Sequence, residues 1–331
     1  MDNKTKVKIE NVVFRAGMNY LHKNGFYWIP SIPRLVKATG ACENIDTLFE
    51  VSVNNCKLWF GKDNESRHKA YLSQTGQLYL ESLVPELGKV FCVGSSFRAE
   101  PVIDDRHLIE FQMVEIEFDG GFDELLTYIE GFVYYIVGAL YDEGMLQSNI
   151  VSCPYVFPKT TYDGAIDTLQ NMGEIIEWGD DINSSQEAKL VEYYGNIPIF
   201  ITRFPDPSWD HGKPIKVEKF FNMLPDPDNP GRVLSADLIL PNAGEAVGAA
   251  SRVHEYKILK DRLINSRMFK RLVEKGGSID DFGWYLNTIK ERGSVPHSGC
   301  GFGMTRILKW LIGCDNIADA VVFPSNRGTI I

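Results

Sequence analysis

The sequence predicts a protein that combines α-helices with β-strands, and three observations lead to that prediction. Two strand-like runs, 89–98 and 108–118, flank a short polar loop that contains Pro101. Apolar residues recur at helical spacing over 12–24, and residues 122–141 are apolar with few charges, which is typical of a buried helix. A chain of 331 residues is long enough for one large domain or two small ones.

Composition and charge restrict the class of protein further. Hydrophobic residues make up 44% of the chain and charged residues 24%, which is ordinary for a soluble globular protein. The net charge of −10 gives the surface as a whole no attraction for nucleic acid, although a local basic groove is compatible with it. The charged start of the chain shows no apolar signal segment, and the longest apolar run, 132–141, is too short for a membrane span. Its six cysteines include no C-x-x-C pair, so we expect no zinc site and a cytoplasmic location with reduced thiols.

Four further segments complete the predicted order of elements. A strand-like run over 26–29 follows the first helix and ends in two prolines. Residues 199–204 predict another strand. The next dozen residues, 205–216, are rich in Pro, Asp, Trp and His, and we expect a surface loop there. Residues 237–241 alternate in polarity as a strand does before they enter a turn.

The strand pair around Pro101 carries side chains that suit a nucleotide site. Because side chains alternate along a strand, one face of the return strand holds Phe111, Met113, Glu115 and Glu117. An aromatic ring followed by carboxylates is a poor core pattern but a sensible floor for a flat apolar ring beside a polar group. Four polar residues crowd the ends of the loop, namely Arg98, Glu100, Arg106 and His107. Guanidinium groups there can hold phosphate oxygens, and a β-hairpin with a salt-bridged tip is the alternative.

Three ordered motifs resemble those of the class II aminoacyl-tRNA synthetases, with the aspartyl/asparaginyl branch nearest. The sequence F-R-A-E at 97–100, five loop residues, R-H-L at 106–108 and then E-F at 110–111 resembles their second motif. P-H-S at 296–298 leading into G-x-G-x-G-x-x-R at 299–306 resembles the third motif. The helix, strand and prolines near the start of the chain resemble the first motif, which forms dimers. The resemblance implies an α+β fold, a class II synthetase-type antiparallel β-sheet flanked by helices, and a homodimer.

The resemblance also implies an amino-acid site built from Glu43, Gln77, Glu115 and Arg252. In the family, residues matching Glu43 and Gln77 hold the backbone end of the amino acid. Arg252 matches an arginine that contacts the side-chain carbonyl, and Glu115 matches a carboxylate near the amide of asparagine. Aspartyl enzymes carry a lysine where this chain has Leu80, and an acidic side chain is costly to bury without a cation. We therefore expect asparagine as the substrate in preference to aspartate.

The implied ATP site comprises Arg98, Glu100, Arg106, His107, Leu108, Phe111, Gly303 and Arg306. By resemblance, Arg98 neutralises the α-phosphate, and Arg106 and His107 the β/γ end. Phe111 and Arg306 enclose the adenine, with Glu100 near its amino group. The implied catalytic residues are Arg98, Arg106, His107 and Arg306.

Asp237 and Glu245 match the two carboxylates that bind Mg²⁺ in the family, and two carboxylates plus nucleotide phosphates are a common Mg²⁺ environment. The alternative is a strand Asp and a turn Glu that bind no metal.

The resemblance extends from about Val12 to Pro324. We expect a single catalytic domain, 1–331, with a helical and loop insertion around 150–216 and no anticodon-binding domain. The implied activity is attack of an amino-acid carboxylate on ATP, which yields an aminoacyl adenylate and pyrophosphate.

We expect an acceptor other than tRNA, because the loop 101–105 places two carboxylates where the family approaches RNA. Three alternatives stay open: an AMP-forming, ammonia-dependent asparagine synthetase acting on aspartate, a minimal asparagine-tRNA ligase, and a non-catalytic ligand-binding regulator.

Overall fold

The computed structural model describes residues 1–40, 44–51, 70–146, 150 and 153–330. The strands within these ranges are β1 (Tyr27–Trp28), β2 (Leu35–Val36), β3 (Glu50–Val51), β4 (Ala70–Leu72), β5 (Lys89–Phe97), β6 (Glu110–Phe118), β7 (Lys159–Thr161), β8 (Ile199–Thr202), β9 (Ser235–Leu240), β10 (Gly244–Ser251) and β11 (Ser298–Gly303). The α-helices are α1 (Asn3–Lys23), α2 (Gln77–Glu81), α3 (Val84–Leu87), α4 (Phe122–Asp142), α5 (Tyr162–Asn171), α6 (Ser184–Tyr193), α7 (Tyr256–Asn265), α8 (Arg267–Glu274), α9 (Gly283–Arg292) and α10 (Met304–Ile312).

A large sheet forms the centre of the molecule. Within the described ranges it has eight strands in the order β1-β5-β6-β11-β10-β9-β8-β7. Only the edge pairs, β1 with β5 and β7 with β8, run parallel, and every other pair in this sheet is antiparallel. Strands β2, β4 and β3 form a smaller sheet. The predicted α+β fold, a mostly antiparallel sheet flanked by helices, is therefore confirmed.

The predicted strand–loop–strand unit is confirmed as the pair β5 and β6. The two strands pair from Lys89 with Phe118 to Phe97 with Glu110. Strand β6 then pairs with β11, which brings Met113 opposite Gly303. This pairing places the second and third sequence motifs side by side at the centre of the sheet.

The long helices α1 and α4 pack on one face of the sheet and enclose its main core. The Phe132 ring of α4 stacks on Phe302 of β11, with 4.0 Å between the ring centroids. Helix α1 begins at Asn3, nine residues before the apolar periodicity that predicted it. The Asp2 side chain accepts a hydrogen bond from the backbone N–H of Thr5 at 2.8 Å, and this cap supports the lysine-rich first turns.

The predicted insertion, residues 150–216, contributes β7 and β8 to one edge of the large sheet and α5 and α6 beside it. Segment 205–216 has no regular element, as expected of a loop, but it is anchored. Arg262 donates two hydrogen bonds, at 2.9 and 3.0 Å, to the Asp206 carboxylate, and both side chains are buried. In the part of the chain that is described, no helix has the length and apolarity that a membrane crossing requires.

Candidate active site

A cleft of about 280 Å³ opens over the central strands β6, β9, β10 and β11. The predicted site residues that line it are Gln77, Arg98, Glu100, Arg106, His107, Leu108, Phe111, Glu115, Asp237, Glu245, Arg252, Gly303 and Arg306. Glu43 lies outside the described residues. Met113 and Glu117 also line the cleft, so the expected common face of β6 is present. Residues from sequence positions more than 200 apart thus share one cavity.

Arg106 is held in place by an ion pair with Glu187 of α6. Its Nη2 donates to Glu187 Oε2 at 2.5 Å, and both side chains are mostly buried. Gly244 gives the arginine its space: its φ is +71°, and a Cβ there would collide with the guanidinium. Burial raises the pKa of Glu187, although the neighbouring arginine opposes that shift. Arg106 therefore presents a fixed positive charge to the cleft.

The loop before Arg106 is organised by its own carboxylate. Asp104 Oδ1 accepts hydrogen bonds from the backbone N–H groups of Arg106 and His107 at 2.9 and 2.8 Å, and Oδ2 lies 2.7 Å from His107 Nδ1. Burial opposes ionisation of Asp104, but hydrogen bonds from His107 and Arg106 lower its pKa. Lys309 Nζ donates to the carbonyl oxygen of Asp105 at 3.1 Å. Asp104 thus organises its own loop, and its side chain remains 36% exposed.

Arg98 and Arg306 are two of the cations that act on Glu245. The Arg98 guanidinium carbon lies 5.6 Å from the centroid of the Phe111 ring, and Arg306 donates a hydrogen bond to the carbonyl oxygen of Glu245. Burial alone would raise the pKa of Glu245, but Lys219, Arg306 and Arg98 hold it below its ordinary value. The carboxylate therefore stays ionised among cations.

The predicted metal carboxylates lie on neighbouring strands, Asp237 on β9 and Glu245 on β10. Lys219 Nζ donates to both oxygens of Asp237, at 2.9 Å to Oδ1 and 2.7 Å to Oδ2. Burial raises the pKa of nearby Asp181, and the positive charge of Lys219 opposes that shift. Two carboxylates that both line the cleft are a donor set that fits Mg²⁺, a cation that prefers oxygen ligands.

The opposite end of the cleft contains a buried ion pair between Arg252 and Glu117. Arg252 Nη2 donates to Glu117 Oε1 at 2.7 Å, and the two residues are 3% and 1% exposed. Gly299 lies across from them on β11, where a Cβ would overlap the Glu117 carboxylate. Burial raises the pKa of Glu117 to about 7, even though the Arg252 guanidinium favours its ionised form. This pair forms a polar but nearly neutral wall.

A second buried carboxylate, Glu81, lies beside the Arg252–Glu117 pair, within 4.8 Å of Glu117. Four side chains surround its two oxygens. Gln77, Asn222 and Tyr285 donate to it at 2.8, 2.6 and 2.6 Å, and His297 Nε2 lies 3.3 Å away. Burial opposes ionisation of Glu81, but hydrogen bonding and charge from His297 lower its pKa. Gln77, which was predicted to hold the amino acid, is thus positioned by a carboxylate.

Glu115 is occupied by the start of α2. The backbone N–H of Gly76 donates to its two oxygens at 3.0 and 2.9 Å, and the Thr75 hydroxyl donates as well. Arg34 adds a cation at 3.7 Å. Leu80 lies in a small hydrophobic cluster with Val84, Val90 and Cys92 and does not line the cleft. The residue at position 80 therefore acts in this chain through packing rather than as part of the cleft wall.

Residues 1–327 match the family model described as tRNA synthetases class II (D, K and N). The chain belongs to this family. The resemblance drawn from the three sequence motifs is thereby confirmed.

The curated relatives that this class II domain matches include asparagine enzymes. It is 36% identical over 296 residues to the asparagine–tRNA ligase of Pelotomaculum thermopropionicum. This alignment covers 86% of this chain and 61% of that protein. It is 32% identical over 330 residues to the asparagine–tRNA ligase of Desulforamulus reducens, covering 96% of this chain and 68% of the relative. The domain thus spans 61–68% of the length of these two relatives.

Solved structures of the family agree with the observed fold. The asparaginyl-tRNA synthetase of Pyrococcus horikoshii, complexed with asparaginyl-adenylate, superposes with a TM-score of 0.79 at 31% identity, over 99% of this chain and 69% of that one. The Entamoeba histolytica enzyme in complex with asparaginyl-adenylate gives a TM-score of 0.79 at 28% identity, over 97% and 67% of the two chains.

Several residues that shape the site of this class II domain were given no role from the sequence. They are Glu81, Glu117, Glu187, Lys219 and His297. Alternation along β6 placed Glu117 on the correct face, which was a usable signal. No local pattern pointed to Glu187 or Lys219, because each acts on a residue that is distant in sequence.

Proposed function

We propose that the chain activates asparagine with ATP, forming asparaginyl adenylate and releasing pyrophosphate. The observation that supports this most is the polarity of this cleft. Arginines and two carboxylates gather at one end, where a triphosphate needs neutralisation, and the neutral Arg252–Glu117 wall lies at the other. A carboxylate oxygen of the amino acid attacks the α-phosphorus, and the bond from that phosphorus to the β-phosphate bridging oxygen breaks. The asparaginyl-adenylate complexes of two structural relatives are consistent with this proposal.

The side chains of the cleft divide between positioning and charge neutralisation. Arg98 neutralises the α-phosphate, and Arg106, fixed by Glu187, neutralises the β/γ end together with His107. Phe111 and Arg306 hold the adenine. Asp237 and Glu245 would hold Mg²⁺, which spreads the phosphate charge. No side chain needs to form a covalent bond, so the rate enhancement comes from orientation and electrostatics.

The amino-acid end of the cleft favours an uncharged side chain. Glu115 and Glu117 are both buried there, and Arg252 is already paired with Glu117. The carboxylate of an aspartate would add negative charge beside Glu115 and the Arg252–Glu117 pair in a poorly solvated pocket, which is costly. An amide can donate to a carboxylate and accept from a guanidinium, so asparagine fits this wall. A preference for aspartate would instead support the ammonia-dependent synthetase.

The acceptor is proposed to be small or proteinaceous, such as ammonia, an amine, a peptide or a carrier. The tip of the loop 101–105 exposes Val102, Ile103 and Asp105, and the loop itself contains no basic residue. The loop's own side chains therefore offer no cation for phosphate contacts, which dominate affinity for nucleic acid; the exposed Arg327 lies beside the loop and donates to the carbonyl oxygen of Pro101. The test is charging of bulk tRNA with labelled asparagine at low salt. Charging as fast as adenylate formation would overturn this part of the proposal and identify a minimal tRNA ligase.

Pyrophosphate exchange across a panel of amino acids tests the activation step. We expect exchange with asparagine well above that with aspartate. Arg98→Ala should reduce exchange by about 10²-fold or more, the order expected for loss of a transition-state charge partner. Arg292→Ala is the matched control, because Arg292 is an exposed arginine of α9 that pairs with Glu86 away from the cleft. If no amino acid supports exchange, the proposal fails and a ligand-binding regulator becomes the better account.

A further inference from the structure

Lys219 is a buried cation beside the carboxylates that were assigned to magnesium. Its ammonium binds both oxygens of Asp237 at 2.7 and 2.9 Å, and the two side chains are only 9% and 11% exposed. The same ammonium lies 3.8 Å from the centroid of the Phe204 ring, whose face attracts cations. A lysine that is buried and bonded in this way has a fixed position.

The charge of Lys219 acts on more than one carboxylate. Besides Asp237 it interacts favourably with Glu245 and with Asp181. One ammonium thus contacts Asp237 and the Phe204 ring and acts electrostatically on two further carboxylates. This is the kind of environment in which a protein holds a cation, and here a side chain supplies that cation.

The ammonium and a metal ion compete for the same oxygens. Mg²⁺ requires carboxylate oxygens at about 2.0–2.1 Å in a near-octahedral arrangement. Both oxygens of Asp237 already accept hydrogen bonds from Lys219, and a divalent ion beside the ammonium would meet strong repulsion in this poorly solvated place.

We propose that Lys219 is the resident counter-cation of Asp237 and Glu245, so that the nucleotide-free protein binds no divalent ion at this pair. The metal enters together with the nucleotide, whose phosphates compete with Asp237 for the ammonium. Only this second step rests on the proposed ATP site. Removal of the lysine charge creates a divalent-ion site in the absence of nucleotide.

The first test measures Mn²⁺ binding to the full chain without nucleotide, by electron paramagnetic resonance of the free ion. The wild-type protein should leave Mn²⁺ free, and Lys219→Met should gain one site that binds at least about tenfold more tightly. Lys219→Arg keeps the charge and should behave as wild type. The double variant Lys219→Met/Asp237→Asn should lose the gained site. Lys213→Met is the control, because Lys213 lies over the Trp178 ring and not beside Asp237.

The outcomes separate clearly. Tight Mn²⁺ binding by the wild-type protein, or equal binding by the Met and Arg variants of Lys219, overturns the proposal. A circular dichroism spectrum confirms that each variant is folded before its titration counts, and the Arg variant provides a reading if the Met variant does not fold.

A second titration adds a non-hydrolysable ATP analogue, with which the wild-type protein should bind one Mn²⁺. If the chain activates no amino acid but the nucleotide-free titrations behave as described, the role of Lys219 stands and only the proposed function fails.

Discussion

Replacing Arg252 by glutamine should destabilise the protein by about 3–5 kcal/mol, the range measured when one member of a buried ion pair is removed. Arg252 and Glu117 are almost completely buried and 2.7 Å apart, so the substitution leaves the carboxylate without its main partner. For a chain of 331 residues the entropy of unfolding is roughly 0.7 kcal/mol per kelvin. A loss of about 4 kcal/mol therefore lowers Tm by about 6 °C.

The same substitution has a characteristic pH dependence. Glu117 has a folded-state pKa of about 7 against its ordinary value of 4.5, so the wild-type protein loses stability as pH rises between these values. Without Arg252 that folded-state pKa rises further. Above pH 7 the difference between variant and wild type should therefore widen by about 1.4 kcal/mol per pH unit, until the carboxyl of the variant ionises.

Urea unfolding at pH 6 and pH 8 measures both effects. Glu117→Gln is the second single variant of this comparison, because it keeps the shape of the side chain and removes its charge. The double variant Arg252→Gln/Glu117→Gln should be more stable than the sum of the two single losses predicts, by about 1–3 kcal/mol, as expected of residues in contact. A cost below about 1 kcal/mol at pH 8 for Arg252→Gln, or strict additivity in the double variant, would refute the conclusion that Arg252 and Glu117 form a stabilising buried ion pair.

Three other predictions follow from the structure. The urea concentration at the unfolding midpoint of the wild-type protein should decrease as pH rises from 5 to 8, because Glu117 and His297 both have raised pKa values and lose their protons over this range. Glu117→Gln should make this decrease smaller. Lys309→Met removes the hydrogen bond to the Asp105 carbonyl and should raise the KM for ATP in pyrophosphate exchange by about two- to tenfold with a smaller change in kcat. The exposed Trp28 on edge strand β1 predicts a homodimer, and light scattering that detects only a 37.4 kDa species at micromolar concentration would contradict it.

Local sequence patterns predicted the central hairpin and the face of β6 that forms the cleft floor. Strand alternation and turn residues act over a few positions, so both can be recognised without knowledge of the fold. The first helix shows the limit of such patterns. Its apolar spacing begins near residue 12, but the Asp2 cap allows a helix to start at Asn3, where the exposed turns carry no apolar signal.

The partners of the site residues could not be predicted, because they come from distant segments. Glu187 is 81 residues from Arg106, and His297 is 216 residues from Glu81. Such pairs form only when the sheet brings their strands together. Asp104 illustrates a different limit. The sequence predicts its charge in the loop 101–105 but not its hydrogen bonds within that loop, where it accepts from the backbone N–H two residues on, as aspartate readily does.

Trapping of the activated amino acid tests the proposed activity most directly. The protein is incubated with ATP, Mg²⁺, asparagine and hydroxylamine, which captures an acyl adenylate as a hydroxamate. We predict asparagine hydroxamate together with equimolar AMP and pyrophosphate, and loss of all three in Arg98→Ala. Formation of ADP in place of AMP, or release of AMP at the same rate with and without asparagine, would contradict the proposed function.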